Sequence, residues 1–293
     1  MQSLHKKLTN NHKGIFFGVL TSIAFATYIL INRYVYTNYV VEPFNYTATF
    51  VISGAAFAAL GLAFNYIKQK YSIFEKSILP IVANGLIAGV AIGLVVFGQQ
   101  YTTAINTSII VTATVLTTVL FSKLLLKETF SRAQQLWLLI MFVGLYTAIV
   151  GVHSIKLNKG DLIILSSCLI FGFTNTYSRI LMRKNSSGFI ADVRLLSGGL
   201  LFIILGIIVS RNDFLVTSTG LWPILSGFFF WLTIKFFYAS IRYTNPNKAI
   251  VLSNSHPIFT PIVGVILLSE PYSWTKLVGS ITIIVSVYFI SKA

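Results

Sequence analysis

Along almost the whole chain, apolar residues come in runs of near-spanning length, and polar positions are confined to short gaps between them. The runs fall at approximately 14–31, 44–66, 78–97, 104–126, 134–152, 161–181, 190–210, 221–240, 247–268 and 275–291. Each is close to the roughly 20 residues that a helix needs to cross a bilayer. Ten such runs in succession leave no polar faces for water to cover, and the gaps are too short to build a soluble domain. The pattern predicts an all-α integral membrane protein with ten transmembrane helices.

Composition agrees with the pattern. The chain is 55% hydrophobic and 10% charged, with a mean hydropathy of +0.80, whereas about 25% charged residues is usual in a soluble domain. The net charge of +15 points to topology rather than to nucleic acid, because the basic residues sit in the gaps and form no continuous patch with aromatic interleaving. With the N-terminus in the cytoplasm, fourteen Lys and Arg fall on that side. The other side receives five: Arg33, Lys156, Lys159, Arg211 and Lys276. Arg179, Arg194 and Lys235 lie within spans and are left out of the comparison. The positive-inside rule then puts both termini in the cytoplasm. The basic opening "MQSLHKKLTNNHKG" reads as the flank of a retained first span.

A repeat organises the ten runs. "QYTTAINTSIIVTATVLTTVLFSKLLLKETFS" overlies "RYTNPNKAIVLSNSHPIFTPIVGVILLSEPYS" without a gap, setting Tyr101 on Tyr243, Thr102 on Thr244, Thr118 on Thr260, Glu128 on Glu270 and Ser131 on Ser273. Upstream, Lys13 and Gly14 fall on Lys159 and Gly160, and Arg33 falls on Arg179. The chain therefore divides into two five-helix units, 1–153 and 154–293. An odd number of spans per unit turns the second copy the other way up, the inverted repeat found in secondary transporters with a site between the halves.

This frame places the two glutamates. Glu128 ends the fourth span at the cytoplasmic face and Glu270 ends the ninth at the opposite face. Each is expected either to pair with a nearby base or to cap the following helix through "ETFS" and "EPYS". Pro257 and Pro261 fall on Val115 and Val119, so symmetry does not require them. They are expected to bend the ninth span beside Asn254 and His256, either as a wall of the pathway or as a packing kink.

Polar residues at membrane depth supply the remaining candidates. Lys235, with Trp231 four residues before it and Tyr238 three after, forms one helical face that suits a carboxylate or a flat ring. The alternative is a lysine that snorkels to the headgroups. Arg33 and Arg179 occupy matching places in the two copies, on helices that also carry Tyr28 and Asn175, and are expected to gate, to pair between repeats or to anchor at the interface. Asp192 and Arg194 are two residues apart, a spacing that does not bring them face to face, and each is expected to find a partner on another helix. Gly85, Gly89 and Gly93 recur every four residues and allow close helix approach. Asn84, Gln99 and Gln100 beside them are candidate cavity donors. The threonines of the fourth span, Thr112, Thr114, Thr117 and Thr118, bond back to their own helix as readily as to a substrate.

Other chemistries find no support. The four histidines are scattered, and Cys168 is the single cysteine, so no metal centre and no disulfide is expected. The sequence carries no Walker loop, GxGxxG, HExxH or GxSxG motif, which leaves neither an enzyme nor a cofactor to argue for.

With its two five-helix copies, an acid closing each fourth span, and the segments "LLLKETFS" and "HPIFTPIVGVILLSEPYS", the sequence resembles the EamA family of the drug/metabolite transporter superfamily. The first copy departs from the pattern by carrying Val115 where the family has a proline. The resemblance implies a central cavity built by spans one to four and six to nine, with spans five and ten peripheral. It also implies transport of a small metabolite, here expected through a bacterial cytoplasmic membrane, and because ten helices in two pseudo-symmetric halves can operate alone, a monomer is expected. Export of an amino acid or related amphiphile is the first expectation. Uptake or exchange of a nucleotide-type metabolite such as S-adenosylmethionine, or drug and cation efflux, are the alternatives.

Overall fold

The computed structural model describes residues 2–67, 78–150, 158–210, 215, 218–243 and 252–292. Among these the regular structure is entirely helical. The helices are α1 (Gln2–Asn38), α2 (Pro43–Ile67), α3 (Ile78–Gly98), α4 (Ala104–Val111), α5 (Thr114–Leu126), α6 (Arg132–Val150), α7 (Lys159–Leu181), α8 (Ser187–Ser210), α9 (Trp222–Tyr243), α10 (His256–Leu268) and α11 (Trp274–Lys292).

Among the described residues, seven stretches are long and apolar enough to cross a membrane: His12–Asn38, Pro43–Ile67, Ile78–Gly98, Ala104–Leu126, Arg132–Ile149, Ser187–Val209 and Trp222–Tyr243. The remaining three expected spans fall short for identifiable reasons. Helix α7 carries Lys159, Asp161 and Arg179 along its length, and α10 and α11 are apolar but shorter. The expected start of the ninth span at 247, and Thr244 of the repeat, lie outside the described residues. Large apolar side chains face outward, Ile266 and Leu267 being 72% and 73% exposed, a surface suited to lipid rather than water.

The matched positions of the sequence repeat adopt matched conformations. Helices α5 and α10 both end on a residue in the left-handed region, Lys127 at φ 54° and Ser269 at φ 52°. These are the two non-glycine residues of positive φ among those described, a conformation that costs a side-chain-bearing residue about 1–2 kcal/mol. In each, the cap N–H returns to the residue five back, Ser122 or Gly264, and so does the N–H of the glutamate that follows. The same turn thus ends both helices and delivers Glu128 and Glu270. The helices after them are capped by Ser131 and Ser273, whose Oγ atoms accept from the N–H of Gln134 and Lys276, so the glutamates are free for other partners.

The fourth span is not one straight helix. It winds tightly at Thr112 and Ala113, whose N–H groups bond three residues back to Ile109 and Ile110. The equivalent residues of the second half, Asn254 and Ser255, also form a turn, with the Ser255 N–H bonding back to Leu252. The bend expected from proline is therefore present in both halves, although the first has none. There the Thr112 hydroxyl bonds to the Ile109 carbonyl and draws the helix out of register. Pro257 sits in the first turn of α10, where its missing N–H has no helical partner to lose, and α10 continues through Pro261.

Packing runs mostly between the halves, with α1 against α9 and α10, α7 against α3 and α5, α2 against α8 and α9, and α6 against α11. The glycine strip of α3 lies against α8. A Cβ on Gly89 would stand 2.8 Å from the Gly198 Cα, and one on Gly85 would stand 2.9 Å from the Arg194 Cα. One on Gly93 would meet the ring of Phe202 at 2.5 Å.

Candidate functional site

Helices α1, α5, α7, α9 and α10 surround a cavity of about 360 Å³. One wall is aromatic and aliphatic, with Phe25, Tyr28, Phe171, Phe230, Phe237 and Tyr238. Tyr28 meets Phe25 and Phe230 edge-on, at centroid distances of 5.0 and 5.5 Å. The tight turns contribute to the wall as well: Thr114 and Val115 follow the first, while Ser253, Asn254 and His256 surround the second. The His256 ring stacks on Phe25 at 4.1 Å, and its Nδ1 lies 2.8 Å from the Ser108 hydroxyl on α4.

The rest of the wall is cationic. Arg179, Arg183 and Arg194 line the cavity together with a single acid, Glu128. Arg179 forks onto Glu128 with Nη2 at 2.9 Å and Nη1 at 3.4 Å, and Nη1 also donates to Ser122 Oγ. Glu128 belongs to the first half and Arg179 to the second, so this ion pair spans the repeat boundary. Arg194 is buried on α8, and its guanidinium donates to Asn175 Oδ1 and Thr174 Oγ1, each at 3.1 Å, and to Ser178 Oγ at 3.5 Å.

The second cross-boundary pair lies elsewhere. Arg33 Nε is 3.5 Å from Glu270 Oε1, and Arg33 Nη1 donates to the carbonyls of Gln99 and Gln100. The Glu270 carboxylate accepts the N–H groups of Ala104 and Ile105 at 2.7 and 3.0 Å, capping the positive end of α4. Asn32, Gln99, Tyr46 and Ser226 tie α1, α2, α3 and α9 together around this cluster. None of Arg33, Gln99, Gln100 or Glu270 lines the cavity.

The two clusters sit at opposite ends of α3. Gln99, at its end, holds Arg33, while Asn84, near its start, donates to Ser178 at 2.8 Å, the residue before Arg179. Fifteen residues of helix separate Asn84 from Gln99, roughly 22 Å at 1.5 Å per residue.

The sequence candidates therefore divide. Tyr28, Glu128, Asn175, Arg179, Tyr238, Asn254 and His256 line one cavity. Asn84 is buried behind it as a support for Ser178, and Pro257 and Pro261 are buried on α10 without lining it. Lys235 and Trp231 are not in the cavity. The Lys235 ammonium lies 2.6 Å from Asp192 Oδ2 on α8, and the Asp192 side chain is wholly buried, so this lysine is neutralised within the protein rather than presented to a ligand. Trp231 packs with Phe57 and Phe228. Phe230, Thr233, Ile234, Phe237, Tyr238 and Ile241 of the same helix line the cavity along this length, so Trp231 and Lys235 are turned away from it by rotation about the axis of α9. The expected separation of Asp192 from Arg194 is what the structure shows, each bonding to another helix. Arg194, a candidate for its place within an apolar run and expected to bond to another helix, is also a cation of the cavity wall.

Comparison with known proteins agrees with this architecture. A solved crystal structure aligns with 94% of this chain and 95% of its own, with a TM-score of 0.66 and 17% identity, which shows a shared fold. An uncharacterized transporter of Methanothermobacter thermautotrophicus is 24% identical over 199 residues, spanning 66% of this chain and 58% of that relative's length. The model of the EamA-like transporter family matches twice, over residues 12–150 and 158–292. The chain, a multi-pass membrane protein, belongs to the EamA-like transporter family.

Proposed function

We propose that the protein is a secondary transporter whose ten transmembrane helices form two inverted five-helix repeats, 1–153 and 154–293. In this reading it moves a small amphiphilic metabolite across a bacterial cytoplasmic membrane by alternating access. It works as a monomer with both termini in the cytoplasm. The observation that carries the reading is the pair of repeat-related ion pairs, Arg33–Glu270 and Arg179–Glu128, at opposite ends of α3, of which only the second touches the cavity. Inverted repeats that close one end while opening the other expose a central site to each side in turn. The basic loop residues Arg183 and Lys184 favour a cytoplasmic position for the Arg179–Glu128 end, and in this reading the cavity is loaded from within.

Export of amino acids or related amphiphiles fits that loading side and the aromatic wall. Three arginines against one glutamate weigh against a cationic drug. Counterflow tests the reading: proteoliposomes preloaded with unlabelled phenylalanine and diluted into labelled phenylalanine should show a transient overshoot of label. A carrier that exchanges one substrate for another overshoots, whereas a channel only equilibrates. Equilibration without overshoot across a panel of amino acids and organic acids would overturn the carrier mechanism.

A further inference from the structure

Arg194 is the one buried charge lining this cavity without an ion-pair partner among the described residues; Arg183, which lines it too and is also unpaired, is exposed. Its side chain lies seven residues into α8, roughly 10 Å along the helix from its start, and the residue is 6% exposed. The described ion pairs are Arg33–Glu270, Arg179–Glu128 and Lys235–Asp192, so the acids near Arg194 are already taken. Its neighbour Asp192 turns to α9, and Glu128 turns to Arg179. What holds Arg194 is neutral: Thr174, Asn175 and Ser178 on α7, with Ser178 held in turn by Asn84 of α3. These bonds engage the two Nη atoms and leave the Nε–H without a protein acceptor among the described residues. A guanidinium at membrane depth is costly unless it is paired or serves a cavity, and three neutral acceptors orient the charge without neutralising it.

We infer that Arg194 is the anchor for an anionic group on the transported molecule, and that the substrate class is an amphiphilic monocarboxylate with an apolar or aromatic body. The number of charges follows from the inventory. One uncompensated buried cation matches one negative charge, because the second unpaired arginine of the lining, Arg183, is exposed and screened. The body follows from the rest of the wall, where Phe25, Tyr28, Phe171, Phe230 and Phe237 offer rings. The volume of about 360 Å³ lies at the small end of ligand sites. A planar carboxylate also suits the planar fork of an arginine better than the point charge of a lysine. The inference rests on the transport reading only in calling the bound molecule a substrate.

The test compares acids with their neutral isosteres in binding to the purified full-length protein. Benzoate and hexanoate should raise its apparent Tm, and benzamide and hexanamide should do so only at a concentration about tenfold higher or more. Arg194→Gln should abolish the preference for acid over amide, whereas Arg194→Lys should retain part of it. A role confined to tethering α7 to α8 would lower the basal Tm of Arg194→Gln and leave the preference in place. If Arg194→Gln does not fold, the parent and Arg194→Lys still decide the matter. Equal stabilisation of the parent by acid and amide, or an undiminished preference in Arg194→Lys, overturns the inference. Phenylalanine against phenylpropionate shows whether an ammonium adds to or detracts from the anchor. Acid-selective binding without counterflow would sink the transport reading alone. Counterflow of a neutral amphiphile without acid selectivity would sink this inference alone.

Discussion

Arg33 and Glu270 come from opposite halves of the chain and meet where the Glu270 carboxylate also caps α4, so one residue closes the boundary between repeats and ends a helix. Its counterpart, Arg179–Glu128, is made by repeat-related residues but sits at the mouth of the cavity, with side chains 27% and 35% exposed against 24% and 5% for the first pair. Equivalent parts thus stand in inequivalent environments. That is what the proposed alternating access would require of any single conformation.

Glu270→Gln should therefore be costly. It leaves Arg33 without its counter-ion and weakens the cap on α4, a loss of about 1–3 kcal/mol once the partial exposure of Arg33 is allowed for. The outward end should also open more often. With a cysteine in place of Ile92 on the cavity wall, a membrane-impermeant maleimide added outside should label Glu270→Gln faster than the parent. Unchanged labelling would leave the pair as a structural tie only.

Glu128→Gln should behave differently. A half-exposed pair contributes no more than about 1 kcal/mol, so the apparent Tm should barely move. Counterflow should nevertheless fall, because the inward end would lose the contact that closes it more tightly in the opposite state. Exchanging the charges, Glu128→Arg with Arg179→Glu, should recover part of the rate. A Glu128→Gln variant that transports like the parent would remove this pair from the cycle.

The Asp192–Lys235 pair is a stability element. Asp192→Asn strands an ammonium that is mostly buried, at a cost of about 2–4 kcal/mol, and Lys235→Met strands the carboxylate. The double variant Asp192→Leu with Lys235→Met should be closer to the parent than either single change, since it removes both desolvated charges. A double-mutant cycle on thermal unfolding reads this directly. Acid-over-amide binding should survive in Lys235→Met, which separates this lysine from the role assigned to Arg194.

Much of this arrangement was legible in the sequence, and the remainder fails for physical reasons. The period of the apolar runs reports burial in lipid, so the helices and the glycine strip could be read directly. The polar coincidences gave Glu128, Glu270, Arg33 and Arg179, because the same turn delivers the glutamate and the same kind of ion pair holds it in both halves. The rotation of α9 about its axis was not legible. In a helix apolar on every side, no periodicity tells which face meets the cavity, and Lys235, read as either a substrate contact or a lysine snorkelling to the headgroups, pairs with Asp192 instead. The tight turns at Thr112 and Asn254 were half legible: proline signalled one, while a threonine hydroxyl makes the other with no special residue.

That last point yields a prediction about Pro257. If proline created the turn at Asn254 and Ser255, replacing it with valine, the residue at the equivalent place in the first half, would let α10 extend backward as a continuous helix and fill the cavity wall. The first half makes the same turn with Val115, and Pro257 occupies a first-turn position that gives up no helical bond. Pro257→Val should therefore keep the turn, lower the apparent Tm by only a few degrees through added unfolded-state freedom, and retain counterflow within about threefold of the parent, a span of under 1 kcal/mol. Thr112→Val removes the hydroxyl that draws the first turn tight and should be the more damaging of the two. The reverse order of effects would show that proline, not the repeated turn geometry, sets the shape of the cavity.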